Sequence, residues 1–338
     1  MAVPILDKND ISKLRSHIEQ AQRIVITCHK SPDGDALGSS LALYSLFQAM
    51  GKLVNIITPD MPPRQLNDLP LISRITINSQ NEVLAKAIVE RADLIFCLDF
   101  NALYRIDRLG DTIDKATAVK VLIDHHMGPD IACDIMFSFP LMSSTCELVY
   151  YVIRDLGYMR LMNRTIAQCL YVGMMTDTGN FTFNSDYPEI YQVIAHLVSF
   201  NINKEWLYNL AMNTFSADCL RLRGYAINEK MQIYEQQHAA VISLNKDELT
   251  RYNYHKGDTE GLVNKPLSIP GITMSIFVRE DNDNIKISCR SRGDRSVEEI
   301  CRLHFGGGGH LNAAGGEYYG PMDDALALID KIIKELKY

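Results

Sequence analysis

At 338 residues the chain exceeds what one hydrophobic core usually supports, so two domains are expected; its 47% hydrophobic and 22% charged content is ordinary for a globular protein. A formal net charge of −7 excludes broad non-specific binding to duplex nucleic acid, which needs a basic face, but leaves nucleotide substrates open because bound cations and a few arginines supply positive charge locally. The eight cysteines include no CxxC pair and sit mostly in apolar runs, as small buried hydrophobes in a reducing compartment do, and no leader-like or membrane-spanning stretch is present. A cytoplasmic protein with no membrane partner is expected.

Ile11, Leu14, Ile18 and Ala21 recur at helical spacing after Asn9 or Asp10 as cap, which predicts an opening amphipathic helix. Apolar runs at 23–28, 53–58, 93–98 and 119–123 read as buried strands, separated by helices at 36–50, ending at Gly51, and at 81–92. Near-continuous apolar strands alternating with helices indicate a parallel sheet covered on both faces. From about 144 to 235 the pattern is mostly helical, with Gly157 as a stop and Asn163 as a cap. Short alternating runs follow at 238–244, 272–279 and 284–290, then a helix at about 296–304, a glycine cluster and a closing helix at 322–336. The expected fold class is therefore α/β: a parallel-sheet domain with a helical connector, 1–215, and a smaller α+β domain, 216–338.

Chemistry concentrates in two islands, His29-Lys30-Ser31-Pro32-Asp33-Gly34-Asp35 and Asp124-His125-His126, each directly after an apolar strand. Side chains dropping off adjacent parallel strands converge at the carboxyl edge of a sheet, where open α/β folds place their ligands. Ser-Pro-Asp-Gly-Asp is equally a good turn, with Asp33 or Asp35 capping the next helix. Two more carboxylates shift the balance: Asp99 ends the strand Leu94 to Leu98, and Asp177 stands in Thr176-Asp177-Thr178-Gly179 at the end of an apolar helix. So many charges at element ends cannot cluster without cations, and oxygen-rich ligation with a minority of histidine suits Mn²⁺ or a similar divalent ion. Farther on, Gly306 to Gly309 expose backbone N–H groups to an anion or simply form a turn; His304 beside them is read as structural, and Arg292 as a solvated surface charge.

These islands, with Asp99, the Thr-Asp-Thr-Gly run and Ser144-Thr145-Cys146-Glu147-Leu148-Val149-Tyr150, resemble the motifs of the DHH phosphoesterase superfamily in the family's order. Gly306-Gly307-Gly308-Gly309-His310-Leu311-Asn312-Ala313-Ala314-Gly315 resembles the signature of the DHH-associated C-terminal domain, and Ser288 to Arg292 fall where that domain has its Ser-x-Arg-Ser element. The length is similar to that of the short NrnA-type members, which hydrolyse nanoRNA and 3′-phosphoadenosine 5′-phosphate. It is too short for a RecJ-type exonuclease with extra domains, and the C-terminal signature is absent from family II pyrophosphatases.

The resemblance implies two Mn²⁺ ions per active site, one held by His29, Asp33 and Asp99, the other by Asp35, Asp99, His125 and Asp177, with Asp99 bridging. It implies that His126 faces the substrate phosphate, that Asp124 orients the histidines, and that Arg290, Ser291, Gly307, Gly308, Gly309 and His310 bind substrate. The expected activity is two-metal hydrolysis of short single-stranded RNA or a mononucleotide bisphosphate, with no duplex DNA as partner. The alternatives are a cyclic dinucleotide or pApA phosphodiesterase and, outside enzymes, a nucleotide-binding regulatory module. The sequence leaves open whether the chain acts alone or as a homodimer.

Overall fold

A computed structural model describes residues 4–336, and these divide into two compact units between Thr214 and Phe215. The first unit is built on a six-stranded sheet of β1 (Arg23–Cys28), β2 (Leu53–Thr58), β3 (Ile75–Ile77), β4 (Leu94–Leu98), β5 (Val119–Asp124) and β6 (Ile135–Ser138). All neighbours are parallel and the order is β3-β2-β1-β4-β5-β6. The order reverses between β1 and β4, so a crevice opens beyond the carboxyl ends of these two strands.

Alternation assigns the strand residues to two faces. Ile24, Ile26, Phe96, Leu98, Val121 and Ile123 share a core with α1 (Lys8–Gln20), α2 (Gly34–Ala49), α5 (Thr145–Asp155) and α6 (Arg164–Asp177). Val25, Ile95, Cys97 and Leu122 point the other way, onto α3 (Glu82–Glu90) and α4 (Leu109–Lys115). Helix α2 is buried almost all round, the pattern of a helix inside a fold rather than on its surface. Helices α7 (Pro188–Val198) and α8 (Lys204–Met212) close the unit; α9 (Ala217–Asn228) opens the next.

The second unit has a mixed six-stranded sheet, ordered β11-β12-β10-β9-β8-β7: β7 (Met231–Tyr234), β8 (Ala239–Leu244), β9 (Met274–Glu280), β10 (Ile285–Ser291), β11 (Gly308–His310) and β12 (Ala313–Tyr318). Only β8 and β9 pair in parallel. One face carries α11 (Val297–His304) and α12 (Met322–Glu335); α9 and α10 (Lys246–Arg251) lie on the other. No helix among the described residues is long and apolar enough to cross a membrane.

The structure corrects several expectations. The cap of α1 is Asp7, whose carboxylate accepts from the N–H groups of Asn9 and Asp10, so the residues expected as caps lie inside the helix. Strands β3 and β6 were not expected, and β7 falls in a stretch read as helical. Each has three or four residues, too few to show a period, and its pairing comes from its neighbours. The glycine cluster is no free loop: Gly308 to His310 form an edge strand on β12.

Candidate active site

The loop after β1 carries His29 and Asp33. Asp33 caps α2 with Oδ1, which accepts from the N–H groups of Asp35 and Ala36 at 3.0 Å each, and its Oδ2 lies 3.8 Å from His29 Nε2. The helix-cap reading of Asp33 thus holds and leaves its second oxygen turned toward His29. Asp99, directly after β4, is held in a left-handed conformation (φ 62°), an unfavourable state for a residue with a Cβ that is typical of functional positions. It is 2% exposed. Its Oδ2 is 3.3 Å from His29 Nε2, while Oδ1 lies 3.6 Å from His125 Nε2 and 3.7 Å from His126 Nδ1. One carboxylate therefore faces two clusters: His29 with Asp33, and His125 with Asp35 and Asp177.

Asp35 is fully buried in the first turn of α2, where its two oxygens accept from the N–H groups of Thr145 (2.6 Å) and Cys146 (2.8 Å) at the start of α5. Free N–H groups and the helix dipole stabilise a carboxylate there. Asp35 Oδ2 is 4.0 Å from His125 Nε2, and Asp177, the last residue of α6, brings Oδ2 within 3.2 Å of the same nitrogen. These meetings require α2 and α6 to lie unusually close. Gly38 and Gly173 allow it: a Cβ on Gly38 would stand 2.4 Å from the Cys169 carbonyl oxygen, and one on Gly173 2.2 Å from Cys146 Sγ and 2.8 Å from Asp35 Oδ1.

Backbone carbonyls orient both inward-facing imidazoles. His29 Nδ1 donates to the carbonyl of Lys30 (2.8 Å) and His125 Nδ1 to that of Met142 (3.2 Å). A carbonyl can only accept, so each Nδ1 carries hydrogen and each Nε2 is turned toward carboxylates, the arrangement seen in metal-binding histidines. His126 donates instead through Nδ1 to Asp124 Oδ1 at 2.7 Å, so the carboxylate fixes its tautomer. Asp124 is fully buried at the end of β5 beside His126, whereas the partner of His125 Nδ1 is the Met142 carbonyl.

The electrostatics fit a cation site. Burial pushes the Asp35 carboxyl well above its ordinary range, and the neighbouring Asp99 and Asp177 charges add to the effect. Burial alone would lower the His29 imidazole, but the hydrogen bond to Asp99 and the charges of Asp33 and Asp99 bring it to about 9. Burial opposes ionisation of Asp99 as well; there the hydrogen bond and charge of His29, with His126 and His125, win and hold the carboxyl below its ordinary value. Divalent cations with oxygen and imidazole ligands suit this donor set.

In the second unit Arg290, on β10, donates from Nη1 to the carbonyl of Cys289 (3.0 Å) and is half-buried. The Ser291 hydroxyl donates to the Arg295 carbonyl (2.6 Å) and accepts from Asn312 Nδ2 (2.9 Å), so it fastens the 291–295 turn. The glycine run is also demanded by packing. A Cβ on Gly307 would lie 1.9 Å from the Gly315 carbonyl oxygen, and Gly309 has φ 148°, whereas Gly308 faces open space. His310 sits on β11 opposite Ala313. His304 and Arg292 are exposed.

Sequence reasoning missed Met142, Thr145, Asn312 and the glycines between α2 and α6. Thr145, which donates through Oγ1 to Asp99 Oδ1 (3.0 Å), lies in a motif that was visible; the carbonyl of Met142 has no side-chain signature at all.

Residues 23–174 match the DHH family, N-terminal domain, and residues 236–335 the DHHA1 domain. The chain is similar to the bifunctional oligoribonuclease and PAP phosphatase NrnA of Thermus thermophilus, at 28% identity over 313 residues, 92% of this chain and 89% of the relative. It is also similar to a crystal structure of an exopolyphosphatase-related protein from Bacteroides fragilis, at 42% identity and a TM-score of 0.94, over 99% of this chain and 98% of that one. The structure of RecJ in complex with Mn²⁺ from Thermus thermophilus shares the fold, with a TM-score of 0.56 at 13% identity over 98% of this chain and 55% of RecJ. The chain belongs to the DHH family and joins that family's N-terminal domain to a DHHA1 domain.

Proposed function

We propose that the protein hydrolyses phosphoester bonds of short 5′-phosphorylated RNAs and of 3′-phosphoadenosine 5′-phosphate, using two Mn²⁺ ions. The observation that carries this reading is Asp99, a buried carboxylate with one oxygen toward each of two His/carboxylate clusters. His29, Asp33 and Asp99 would hold one ion; Asp35, Asp99, His125 and Asp177 the other. RecJ structures in complex with Mn²⁺ and with Mg²⁺ support a divalent ion, and the name of the Thermus NrnA relative supports the substrate class. Such ions, if held there, would supply Lewis-acid chemistry at a phosphoryl oxygen and lower the pKa of a water.

The chain supplies the remainder. His126, with Nδ1 held by Asp124, keeps a hydrogen-bonding imidazole at the centre for a phosphate oxygen. Asp35 and Asp99 are fixed by Thr145 and Cys146 before substrate arrives, so little reorganisation accompanies reaction. Arg290 and His310 offer a guanidinium and an imidazole to a substrate phosphate, and Gly308 an unobstructed backbone. The acidic chain lacks the charge for a duplex partner, and its eight free cysteines suit a reducing, cytoplasmic setting.

A turnover panel with Mn²⁺ tests the reading: 3′-phosphoadenosine 5′-phosphate, RNAs of two to five nucleotides and of twenty, cyclic di-AMP, pyrophosphate and polyphosphate. The expected result is AMP and phosphate from the first, mononucleotides from the short RNAs, and a steep fall with length. Turnover of pyrophosphate or polyphosphate alone contradicts it.

A further inference from the structure

Glu147 lies in the first turn of α5 with no exposed surface. Its Oε2 accepts from the Ser143 N–H (3.2 Å), the Ser143 hydroxyl (2.6 Å) and the Tyr187 hydroxyl (2.5 Å). Its Oε1 is buried without a hydrogen-bond partner among the described residues. Burying a carboxyl this deeply is costly unless its hydrogen bonds serve a purpose.

What Glu147 grips accounts for its presence. Ser143 belongs to a short segment that touches three of the groups assigned to the metals. The Met142 carbonyl accepts from His125 Nδ1, the Thr145 and Cys146 N–H groups hold Asp35, and the Thr145 hydroxyl donates to Asp99. Ser144 between them caps α5 by accepting from the N–H of Glu147 itself (3.1 Å). Tyr187, the third donor, stands at the start of α7, where the chain returns from the turns that follow Asp177. One carboxyl therefore ties the 142–146 segment to the stretch downstream of a fourth ligand.

We propose that Glu147 is a positioning residue for the metal centre: it fixes the segment that orients His125, Asp35 and Asp99, and touches neither metal nor substrate. The proposal rests on the metal-centre reading above. Chemistry separates the variants. Glu147→Gln keeps an acceptor at the Oε2 position and places its amide at the partnerless oxygen, so all three donors stay satisfied. Glu147→Ala strands all three.

The test is Mn²⁺ binding to chelator-stripped protein without substrate, read by EPR and calorimetry, with circular dichroism and melting in EDTA as fold controls. Loss of a residue that orients ligands typically costs 10–100-fold in metal affinity, and Glu147→Ala is expected to fall in about that range. Glu147→Gln should bind within about threefold of wild type, and kcat of Glu147→Ala should recover as Mn²⁺ is raised while KM for the nucleotide stays constant. A folded Glu147→Ala with wild-type Mn²⁺ affinity overturns the proposal. If that variant does not fold, Ser143→Ala and Tyr187→Phe, each removing one donor, should weaken binding about fivefold, as one hydrogen bond implies, and wild-type affinity in both overturns it equally. Absence of Mn²⁺ binding by the wild type overturns the metal centre itself, and this proposal with it.

Discussion

Gly173→Ala is the sharpest probe of how the packing of α2 against α6 builds the site. A methyl at this position would stand 2.2 Å from Cys146 Sγ, 2.8 Å from Asp35 Oδ1 and 3.0 Å from Asp35 Cα. Replacing glycine by alanine in a helix interior gains about 0.5–1 kcal/mol from backbone entropy alone. Overpacking a tight core costs about 1–3 kcal/mol or more, and here the obstacles include backbone and a carboxylate held by two N–H groups. The expected net is a loss of about 1–2 kcal/mol, or roughly 2–8 °C in melting temperature for a unit of this size, measured in EDTA. Because the relief must come from moving Asp35, Mn²⁺ affinity should fall about tenfold or more, given that ligand sites tolerate only about 0.5 Å of displacement. Adding Cys146→Ala removes the 2.2 Å contact but not those with Asp35, so the double variant should regain stability without regaining affinity. A Gly173→Ala protein that melts at or above the wild-type temperature and binds Mn²⁺ normally would show that the approach of α6 to Asp35 does not set the site.

Asp99→Asn should fold yet lose several orders of magnitude in turnover, since Asp99 turns one oxygen toward His29 and the other toward His125; near-normal Mn²⁺-dependent rates would break the two-metal assignment. In chelated protein the raised His29 contributes stability that is fully present below its ordinary 6.5 and is lost as pH rises through about 9; urea unfolding should show a decline across that window that His29→Asn flattens. In the second unit, Gly307→Ala should destabilise by about 2 kcal/mol or more, with its Cβ 1.9 Å from a carbonyl oxygen, whereas Gly308→Ala should stay within about 0.5 kcal/mol in the same urea experiment; equal losses would contradict the strand pairing.

The centre of the first unit was legible because its chemistry stands at the ends of long apolar strands. His29, Asp99 and Asp124 each follow a run in which both faces are buried, so the strand and its carboxyl end are readable from composition alone. Asp177 needed the resemblance, because a carboxylate ending a helix is usually only a cap. The supporting parts were not legible for physical reasons. A carbonyl such as that of Met142 is the same in every residue, and the closeness of α2 to α6 depends on glycines whose partners on the facing helix, Cys169 for Gly38 and Asp35 for Gly173, lie more than a hundred residues away. The glycine run misled in the other direction: four glycines suggest an open turn, yet Gly307 and Gly309 are there so that the strands can meet. Ser291 was read from its place beside Arg290, and only the positions of Asn312 and Arg295 reveal what its hydroxyl bonds.

We propose that two divalent ions, held through Asp99, drive phosphoester hydrolysis. It is tested most directly by stripping the wild-type protein with chelator and titrating Mn²⁺ back while following phosphate released from 3′-phosphoadenosine 5′-phosphate. The expected result is no turnover in the stripped protein and activation that saturates only when two ions per chain are bound. Turnover that persists after stripping, or a fully loaded protein that releases no phosphate from this substrate or mononucleotide from a 5′-phosphorylated dinucleotide, would contradict it.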